Sequence, residues 1–230
     1  MDYGTSGTDY LPLIVPAVVL LIIGLIVLSL YGEYKRRKAL SALALRLGWT
    51  YCAGDVIGIP RRYGLFDCLN TGHGQRASNV MEGRFGDLDF RAFDYRYTTG
   101  SGKDQTTHNL SAVIAQAKYP LKQIFIRPEH FGDRVAGMLG FEDIDFEWDE
   151  FNRAFYVKAA DKEFAYDVIN QKMMEFLMDN RGWTIHIAGM DMIVYTGSVF
   201  SPDDFLAAAN FTRAFLELLP DYLADKLNGR

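Results

Sequence analysis

The sequence has few cysteines and few histidines, and their spacing excludes several kinds of site. Cys52 and Cys68 are the two cysteines in 230 residues, too few for a disulfide framework and, without a neighbouring histidine, a poor zinc site. The four histidines are far apart and never at the i, i+4 spacing of a helical zinc pair: they are His73, His108, His130 and His186. We therefore expect no metal ion, no cofactor and two ordinary reduced thiols.

Recognisable catalytic motifs are also missing from the sequence. It contains no G-x-S-x-G elbow, no H-E-x-x-H and no G-x-G-x-x-G after a strand. We therefore assign no catalytic residue. A Cys–His pair, or a pocket with Asp94, Arg96 or His108 near its mouth, can still assemble from distant positions. An enzyme or a small-ligand receptor with an unrecognised site therefore stays open as the alternative.

Two segments resemble binding loops but lack required positions. Residues 100–103, GSGK, would need a glycine at 97 and a hydroxyl at 104 to form a P-loop, and the chain has Tyr97 and Asp104 there. Strand-like segments on both sides predict a hairpin tip instead. For the acidic stretch 141–151, an EF-hand loop counted from Asp143 has Trp148 and Ala154 at the positions that need glycine and glutamate. Its alternation predicts an edge strand with one acidic face, with a weak divalent-ion site as the alternative.

No charged residue occurs between Asp9 and Glu33, and the uncharged run is strongly apolar. From Leu11 to Tyr31, 15 of 21 residues are Leu, Ile or Val. As a helix, this run extends roughly 32 Å at ~1.5 Å per residue, enough to cross a hydrocarbon core of ~30 Å. The run is too long for a signal peptide, and no basic residue precedes it. We expect an uncleaved transmembrane helix at residues 11–31.

The flanks of this run predict the orientation of the protein. No Lys or Arg precedes it, whereas Lys35, Arg36, Arg37 and Lys38 follow it. This membrane-flanking basic cluster predicts, by the positive-inside rule, that the chain after the span lies in the cytoplasm. We therefore expect a short non-cytoplasmic N-terminus at residues 1–10, a juxtamembrane basic helix at 32–48 that ends at Gly48, and a cytosolic domain at 49–230. The protein would be a single-pass protein of the inner cell membrane.

The pattern after the anchor predicts an α+β domain, an antiparallel sheet with packed helices. Strands are expected at Tyr63–Leu69 and Ser78–Phe85, with a tight turn at Gly86-Asp87. The strand from Leu88 shifts its apolar phase near Phe93, which predicts a β-bulge or burial on both faces.

Helices and a further hairpin are expected in the second half of the domain. A short helix is predicted over residues 127–140, with Pro128 in its first turn. Apolar residues at helical spacing predict a helix over Asp161–Asn180. Ser201 and Pro202 predict the start of the last helix, which Pro220 should end or kink. A hairpin is expected to turn at Gly189-Met190.

Charge is distributed unevenly along the domain. Residues 39–128 hold 11 Lys and Arg against 7 Asp and Glu, whereas residues 129–230 hold 9 against 19. The net charge of −6 over these two segments argues against nucleic acid as a partner, even though arginines and aromatics alternate near residues 91–97. The basic half suits a surface that faces anionic lipid, with ordinary solvated surface as the alternative.

Several segments together resemble a known group of proteins. They are LALRLGWTY (43–51), NVMEGRFGDLDFRAFDYRYTTGSGKDQTTH (79–108), IRPEH (126–130), GFEDIDF (140–146) and DEFNRAFYV (149–157). Behind one N-terminal span, they resemble a family of uncharacterised prokaryotic single-pass membrane-anchored proteins that carry a domain of unknown function. The likeness covers most of residues 39–220. It implies a single span and a cytosolic α+β domain, and it supplies no site residues.

These observations favour a membrane-anchored interaction or scaffolding domain over an enzyme. Its expected partners are the lipid bilayer and a protein at the inner membrane face. Gly24 has no small residue four positions away, so the span gives little indication of helix–helix dimerisation. The oligomeric state stays open.

Overall fold

The computed structural model describes residues 11–129 and 141–227. Its helices are α1 (Leu11–Leu47), α2 (Ile59–Arg62), α3 (Asp67–Asn70), α4 (Asp149–Ala154), α5 (Lys162–Val168), α6 (Gln171–Asp179), α7 (Pro202–Glu217) and α8 (Tyr222–Leu227). Its strands are β1 (Thr50–Gly54), β2 (His73–Phe85), β3 (Leu88–Thr99), β4 (Thr106–Pro128), β5 (Glu142–Asp143), β6 (Phe155–Ala159) and β7 (Thr184–Tyr195).

The helix α1 is a single 37-residue helix with two different environments. From Ile14 onward, its apolar part is exposed and is long enough to cross a membrane. Leu40, Leu43 and Ala44, near its other end, are almost fully buried in the domain. Gly48, with φ of 71°, follows the last turn, as predicted. The membrane-anchoring helix therefore continues without a break into the core of the domain.

The strands form a seven-stranded antiparallel sheet in the described part of the chain. The order is β1-β2-β3-β4-β6-β5, and β7 pairs with the long strand β4. The first four strands form a meander, in which β2 and β3 were predicted from the sequence and β1 was not. The predicted α+β fold is confirmed.

Helices cover both faces of the sheet. On one face, α1 and α7 pack over Phe90, Ala92 and Val113. On the other face, the α2–α3 segment packs over Phe93 and Tyr95. Side chains on both faces of β3 are buried. The change of phase in the apolar pattern of this strand therefore reflects burial on two faces. The helices α4 to α6 and α8 cover the far end of the sheet around β6.

Both hairpin turns predicted between β2, β3 and β4 are confirmed. Phe85 pairs with Leu88 across the turn at Gly86, whose φ is 65°. At the β3–β4 tip, a Cβ on Gly100 would lie 2.3 Å from the carbonyl oxygen of Asp104, so a larger residue does not fit. A short 3₁₀ turn at Gly102–Asp104 completes this tip. The GSGK segment is therefore a hairpin tip.

Two strand predictions were wrong. The segment Tyr63–Leu69 lies in the α2–α3 region, and the Asp55 carboxylate accepts the N–H of Ile59, the first residue of α2, at 2.9 Å. Residues 184–195 form one strand rather than a hairpin. Gly189, with φ of 62°, lies at a register shift against β4, so the glycine serves an irregularity within the strand rather than a reversal.

The predicted elements of the second half are only partly found. The helix over Asp161–Asn180 is two helices, because Asn170 caps α6 through a bond from the Met173 N–H at 3.2 Å. The acidic stretch 141–151 contributes only the two-residue edge strand β5 before α4 begins. Pro128 is the last residue of β4 rather than part of a helix, and residues 130–140 of that predicted helix lie outside the described residues.

Candidate functional site

The most polar part of the interior lies where α1 meets the sheet. Arg36 of α1 binds both carboxylate oxygens of Asp94 on β3: Nε donates to Oδ2 at 2.8 Å and Nη2 to Oδ1 at 2.6 Å. Its Nη1 donates to the carbonyl oxygen of Phe200 at 2.9 Å, just before α7. The side chains are 27% and 12% exposed. This bidentate, partly desolvated pair joins the membrane helix to the sheet and to the start of α7.

The Asp94 carboxylate is held by donors from neighbouring strands as well. The side-chain amide of Asn79 donates to Oδ2 at 2.8 Å, and the Ser111 hydroxyl donates to Oδ1 at 2.5 Å. The Tyr51 hydroxyl in turn donates to the side-chain oxygen Oδ1 of Asn79 at 2.7 Å. Because each carboxylate oxygen accepts two hydrogen bonds, the desolvation cost of the buried charge is largely offset. We call Arg36, Tyr51, Asn79, Asp94 and Ser111 the junction network.

A β-bulge in β2 positions Asn79 in this network. The pairing of β2 with β3 shifts register between Ser78 and Met81. Asn79 has φ of 52°, in the left-handed region that asparagine tolerates better than most residues. The bulge thus aims a polar side chain at Asp94 from a strand that otherwise buries apolar residues. The bulge in β2 was not predicted from the sequence.

A cavity of about 380 Å³ opens beside the junction network, between α1 and the strands β2 to β4. Its charged lining consists of Glu33, Arg36, Arg37, Arg76, Asp94 and Arg96. Asn109 and Val199 also line it. Four arginines against two carboxylates give this charged lining an excess of positive charge.

The carboxylates of the cavity neutralise the arginines of α1 but not those of the sheet. Arg36 is paired with Asp94, and Arg37 lies 3.6 Å from Glu33 one helical turn away. Arg76 and Arg96 stand directly opposite each other on β2 and β3. Within the described ranges, neither has a carboxylate within ion-pair distance. The excess positive charge of the cavity therefore comes from these two arginines.

The membrane-flanking basic cluster is divided by the structure. Arg36 turns into the domain, whereas Arg37 and Lys38 stay exposed. Lys35 borders a smaller groove of about 260 Å³ between α1 and Pro202. Only part of the cluster is therefore free to face lipid headgroups.

Of the three residues expected near a pocket mouth, the structure brings Asp94 and Arg96 together. His108 lies elsewhere: its ring stacks on Tyr97 with centroids 4.8 Å apart, and Nε2 lies 2.8 Å from the Thr99 hydroxyl. The arginine at position 76 was missed by sequence reasoning. The sequence marked Arg76 only as a basic residue shortly before a predicted tight hairpin, which does not distinguish it from other surface arginines.

The remaining candidate nucleophile and base are buried in unreactive settings. Burial raises the pKa of the Cys68 thiol well above its ordinary value, so the thiol stays protonated. Burial lowers the pKa of His186 to about 4, and its ring lies against the edges of Phe66 and Phe125. Cys52 is half-buried on β1. Over the described ranges, no group of three or more His, Cys, Asp or Glu side chains could hold a metal ion.

Comparison with known proteins gives one informative likeness, in fold. No family model matches the chain, and no curated protein matches it in sequence. Among solved structures, the chain is similar to the crystal structure of the mycobacterial trehalose monomycolate transport factor A, TtfA. The TM-score is 0.59 at 13% sequence identity, and the likeness covers 82% of this chain and 97% of that one. The domain therefore shares its fold with a protein described as a transport factor.

Proposed function

We propose that this protein is a membrane-anchored accessory subunit without catalytic activity of its own. Its domain is held at the inner membrane face in a fixed orientation and presents its membrane-proximal end to an integral membrane protein. The basic residues Lys35 to Lys38 on the domain side of the span support a cytoplasmic domain, by the positive-inside rule.

The continuity of α1 is the observation that carries this proposal. A domain that only needs to stay near a membrane can hang from a flexible linker. Here the anchor helix buries Leu40 and Leu43 in the domain, and Arg36 fastens it to Asp94. Such a connection restricts rotation of the domain about its anchor, which is useful when one surface must meet a partner in the same bilayer.

The state of the buried reactive groups supports a non-catalytic role. The Cys68 thiol has a raised pKa because it is buried, and it is therefore a poor nucleophile. The fold likeness to TtfA supports the same class of role, because TtfA is described as a transport factor. We extend to this protein only the general idea of an accessory factor for a membrane transport process.

Site-specific photo-crosslinking of the full chain in cells tests this function. We would place a photoreactive amino acid at Leu25 in the span, at Lys103 in the β3–β4 tip, or at Asp87 at the opposite end of the sheet. We expect Leu25 and Lys103 to give adducts with the same integral membrane protein, and Asp87 to give none. Absence of a shared adduct, or equal yields from Asp87 and Lys103, would contradict the proposal.

A decoupled variant tests whether the rigid connection matters. Four Gly and Ser residues inserted after Gly32 keep the anchor and the domain but break the helix between them. We expect the adduct from Lys103 to fall several-fold, while the adduct from Leu25 persists. The same insertion after Gly86, in the distal turn, is the matched control and should leave both yields unchanged.

A further inference from the structure

With the span ending at Tyr31, as the sequence predicts, the cavity beside the junction network would lie at the depth of lipid headgroups. Arg36 follows Tyr31, the last residue of the apolar run, by five positions, which is roughly 7.5 Å along a helix. The headgroup layer of one leaflet is about 5–8 Å thick, from the difference between the full bilayer and its hydrocarbon core. The first turns of α1 beyond the hydrocarbon therefore form one wall of the cavity.

The sheet wall of the cavity also faces the membrane. The later residues Leu40, Leu43 and Ala44 of α1 pack with Phe90 and Ala92 of β3. The earlier Arg36 meets Asp94, so the helix and the strand run in opposite directions. Residues after Asp94 on β3 consequently lie nearer to the bilayer than the junction network does. Arg96 and its cross-strand partners Arg76 and Asn109 form a polar row on that side.

The two arginines of this row have no stabilising role that the structure explains. Like charges directly opposite each other on neighbouring strands are destabilising. Neither Arg76 nor Arg96 is relieved by a carboxylate in the parts of the chain that the structure describes. Both side chains are exposed, so solvent weakens this repulsion, and an anion between them would turn it into attraction. The guanidinium groups match the geometry of phosphate oxygens, and the Asn109 amide supplies a further donor.

The volume of the cavity and the apolar residue at its edge limit which anions could bind there. A volume of about 380 Å³ is at the small end of the range for ligand pockets, which suits a compact polar group. Val199 lines the same cavity and is 43% exposed, so an apolar contact is available beside the arginines. A phospholipid offers both features in one molecule, a phosphate diester joined to an apolar portion.

We propose that this cavity binds the phosphate-bearing headgroup of an anionic phospholipid, with Arg76 and Arg96 as the anion-binding residues. Arg36 stays engaged by Asp94 and contributes positioning of the helix rather than a free charge. The bound lipid would join the sheet to the bilayer at a point separate from the anchor helix. This proposal does not depend on a protein partner and goes beyond the accessory role.

Native mass spectrometry of the full chain in mild detergent tests the site. The protein is titrated with dioctanoyl phosphatidylglycerol, with the matched phosphatidylcholine, or with inorganic phosphate. We expect phosphatidylglycerol to bind most tightly, and Arg76→Gln with Arg96→Gln to weaken it roughly tenfold, since basic residues near a membrane surface each add to anionic-lipid affinity. Phosphatidylcholine binding should be the same for both proteins.

A matched double variant controls for the loss of two positive charges. Arg84→Gln with Arg153→Gln removes two exposed arginines away from the cavity, one of them on the same strand as Arg76. We expect this variant to bind phosphatidylglycerol as the unaltered protein does. The lipid should also raise the midpoint of thermal unfolding of the control variant and of the unaltered protein by the same amount, and that of the cavity variant by less.

Three outcomes would overturn the proposal. The first is equal binding of phosphatidylglycerol and phosphatidylcholine by the unaltered protein. The second is an equal loss in the cavity and control variants, which would reduce the effect to overall charge. The third is inorganic phosphate binding as tightly as phosphatidylglycerol, which would assign the site to a soluble anion instead of a lipid.

Discussion

At the scale of single residues, the pairing of Arg36 with Asp94 gives a basic residue near the membrane a structural task. Sequence reasoning grouped Arg36 with Lys35, Arg37 and Lys38 as a cluster that flanks the span. The structure separates it from them, because its guanidinium binds a carboxylate 58 positions away. One of the four adjacent basic side chains, that of Arg36, is therefore engaged in an ion pair within the protein.

We predict strong energetic coupling between Arg36 and Asp94. Asp94→Ala leaves the partly buried arginine and the donors of Asn79 and Ser111 unpaired, at a cost of about 2–4 kcal/mol. Thermal unfolding in detergent should show a midpoint lowered by roughly 5–15 °C. A double-mutant cycle with Arg36→Ala should give a coupling energy above about 1 kcal/mol.

The exposed pair Arg181–Glu150 is the control for this cycle. Its atoms are 3.8 Å apart, and its side chains are 53% and 62% exposed. Exposed pairs of this kind couple by about 0–0.5 kcal/mol. If the two cycles gave the same small coupling, the junction network would not hold the helix to the sheet.

His186 should make the domain less stable in mild acid. Its pKa is near 6.5 when unfolded and about 4 in the fold, because burial disfavours the charged ring. Between these pH values the unfolded chain binds more protons, so the free energy of unfolding falls as pH drops, by up to about 1.4 kcal/mol per pH unit. This stability is fully present above pH 6.5. His186→Leu should flatten that part of the pH profile, measured by chemical unfolding.

A surface histidine provides the comparison for this pH effect. His73 is exposed at the start of β2, and His73→Leu should leave the slope between pH 4 and 6.5 unchanged. A slope that persists in His186→Leu would mean that carboxylates, rather than this imidazole, control acid stability.

At the scale of secondary-structure elements, the contact of Trp49 with β2 fixes where α1 ends against the sheet. A Cβ on Gly83 would lie 2.2 Å from Cδ1 of the Trp49 ring. The indole stacks on Phe90 and donates its N–H to the Arg84 carbonyl at 2.9 Å. The absence of a side chain at Gly83 thus lets Trp49, two residues after the end of α1, pack flat on the strand.

We predict that Gly83→Ala destabilises the domain by about 1–3 kcal/mol, because the added methyl group displaces the Trp49 ring. Thermal unfolding and tryptophan fluorescence measure the two effects together. Gly54→Ala is the control, since a Cβ there meets nothing within 4 Å. It should change stability by no more than about 0.5 kcal/mol. Equal effects of the two substitutions would exclude a steric role for Gly83.

Local signals predicted some elements well and missed others for identifiable reasons. The helix over the long apolar run, the turn at Gly86 and the helix start at Ser201 are encoded by neighbouring residues, and each is confirmed. The prediction at Gly189 was wrong because a glycine with positive φ serves a bulge as well as a turn. The α2–α3 segment was misread because four-residue helices carry too little periodicity to be distinguished from a strand.

The candidate site was predictable only in part, since it is built by long-range register. Asp94 and Arg96 were noted in the sequence as possible pocket residues, and both line the cavity. Their meeting with Arg36 and Arg76 depends on how α1 lies against β3 and on the pairing of β2 with β3. Neither arrangement leaves a pattern in neighbouring residues.

At the scale of the whole molecule, the direction of the chain across the bilayer is the main property left to test. We predict that a cysteine introduced at Ser6 reacts with a membrane-impermeant thiol reagent in intact cells. A cysteine at Ser101, in the β3–β4 tip, should react only after permeabilisation. The background carries Cys52→Ser and Cys68→Ser, because both native cysteines are half-buried. Labelling of Ser101→Cys in intact cells would reverse the proposed orientation.

Because α1 is unbroken, the orientation of the domain is coupled to the tilt of the helix in the bilayer. A transmembrane helix longer than the local hydrocarbon thickness accommodates by tilting. Because the same helix ends inside the domain, any tilt swings the sheet through the same angle and turns a different side of it toward the lipid. The orientation of the whole domain relative to the membrane plane would then depend on the thickness of the bilayer.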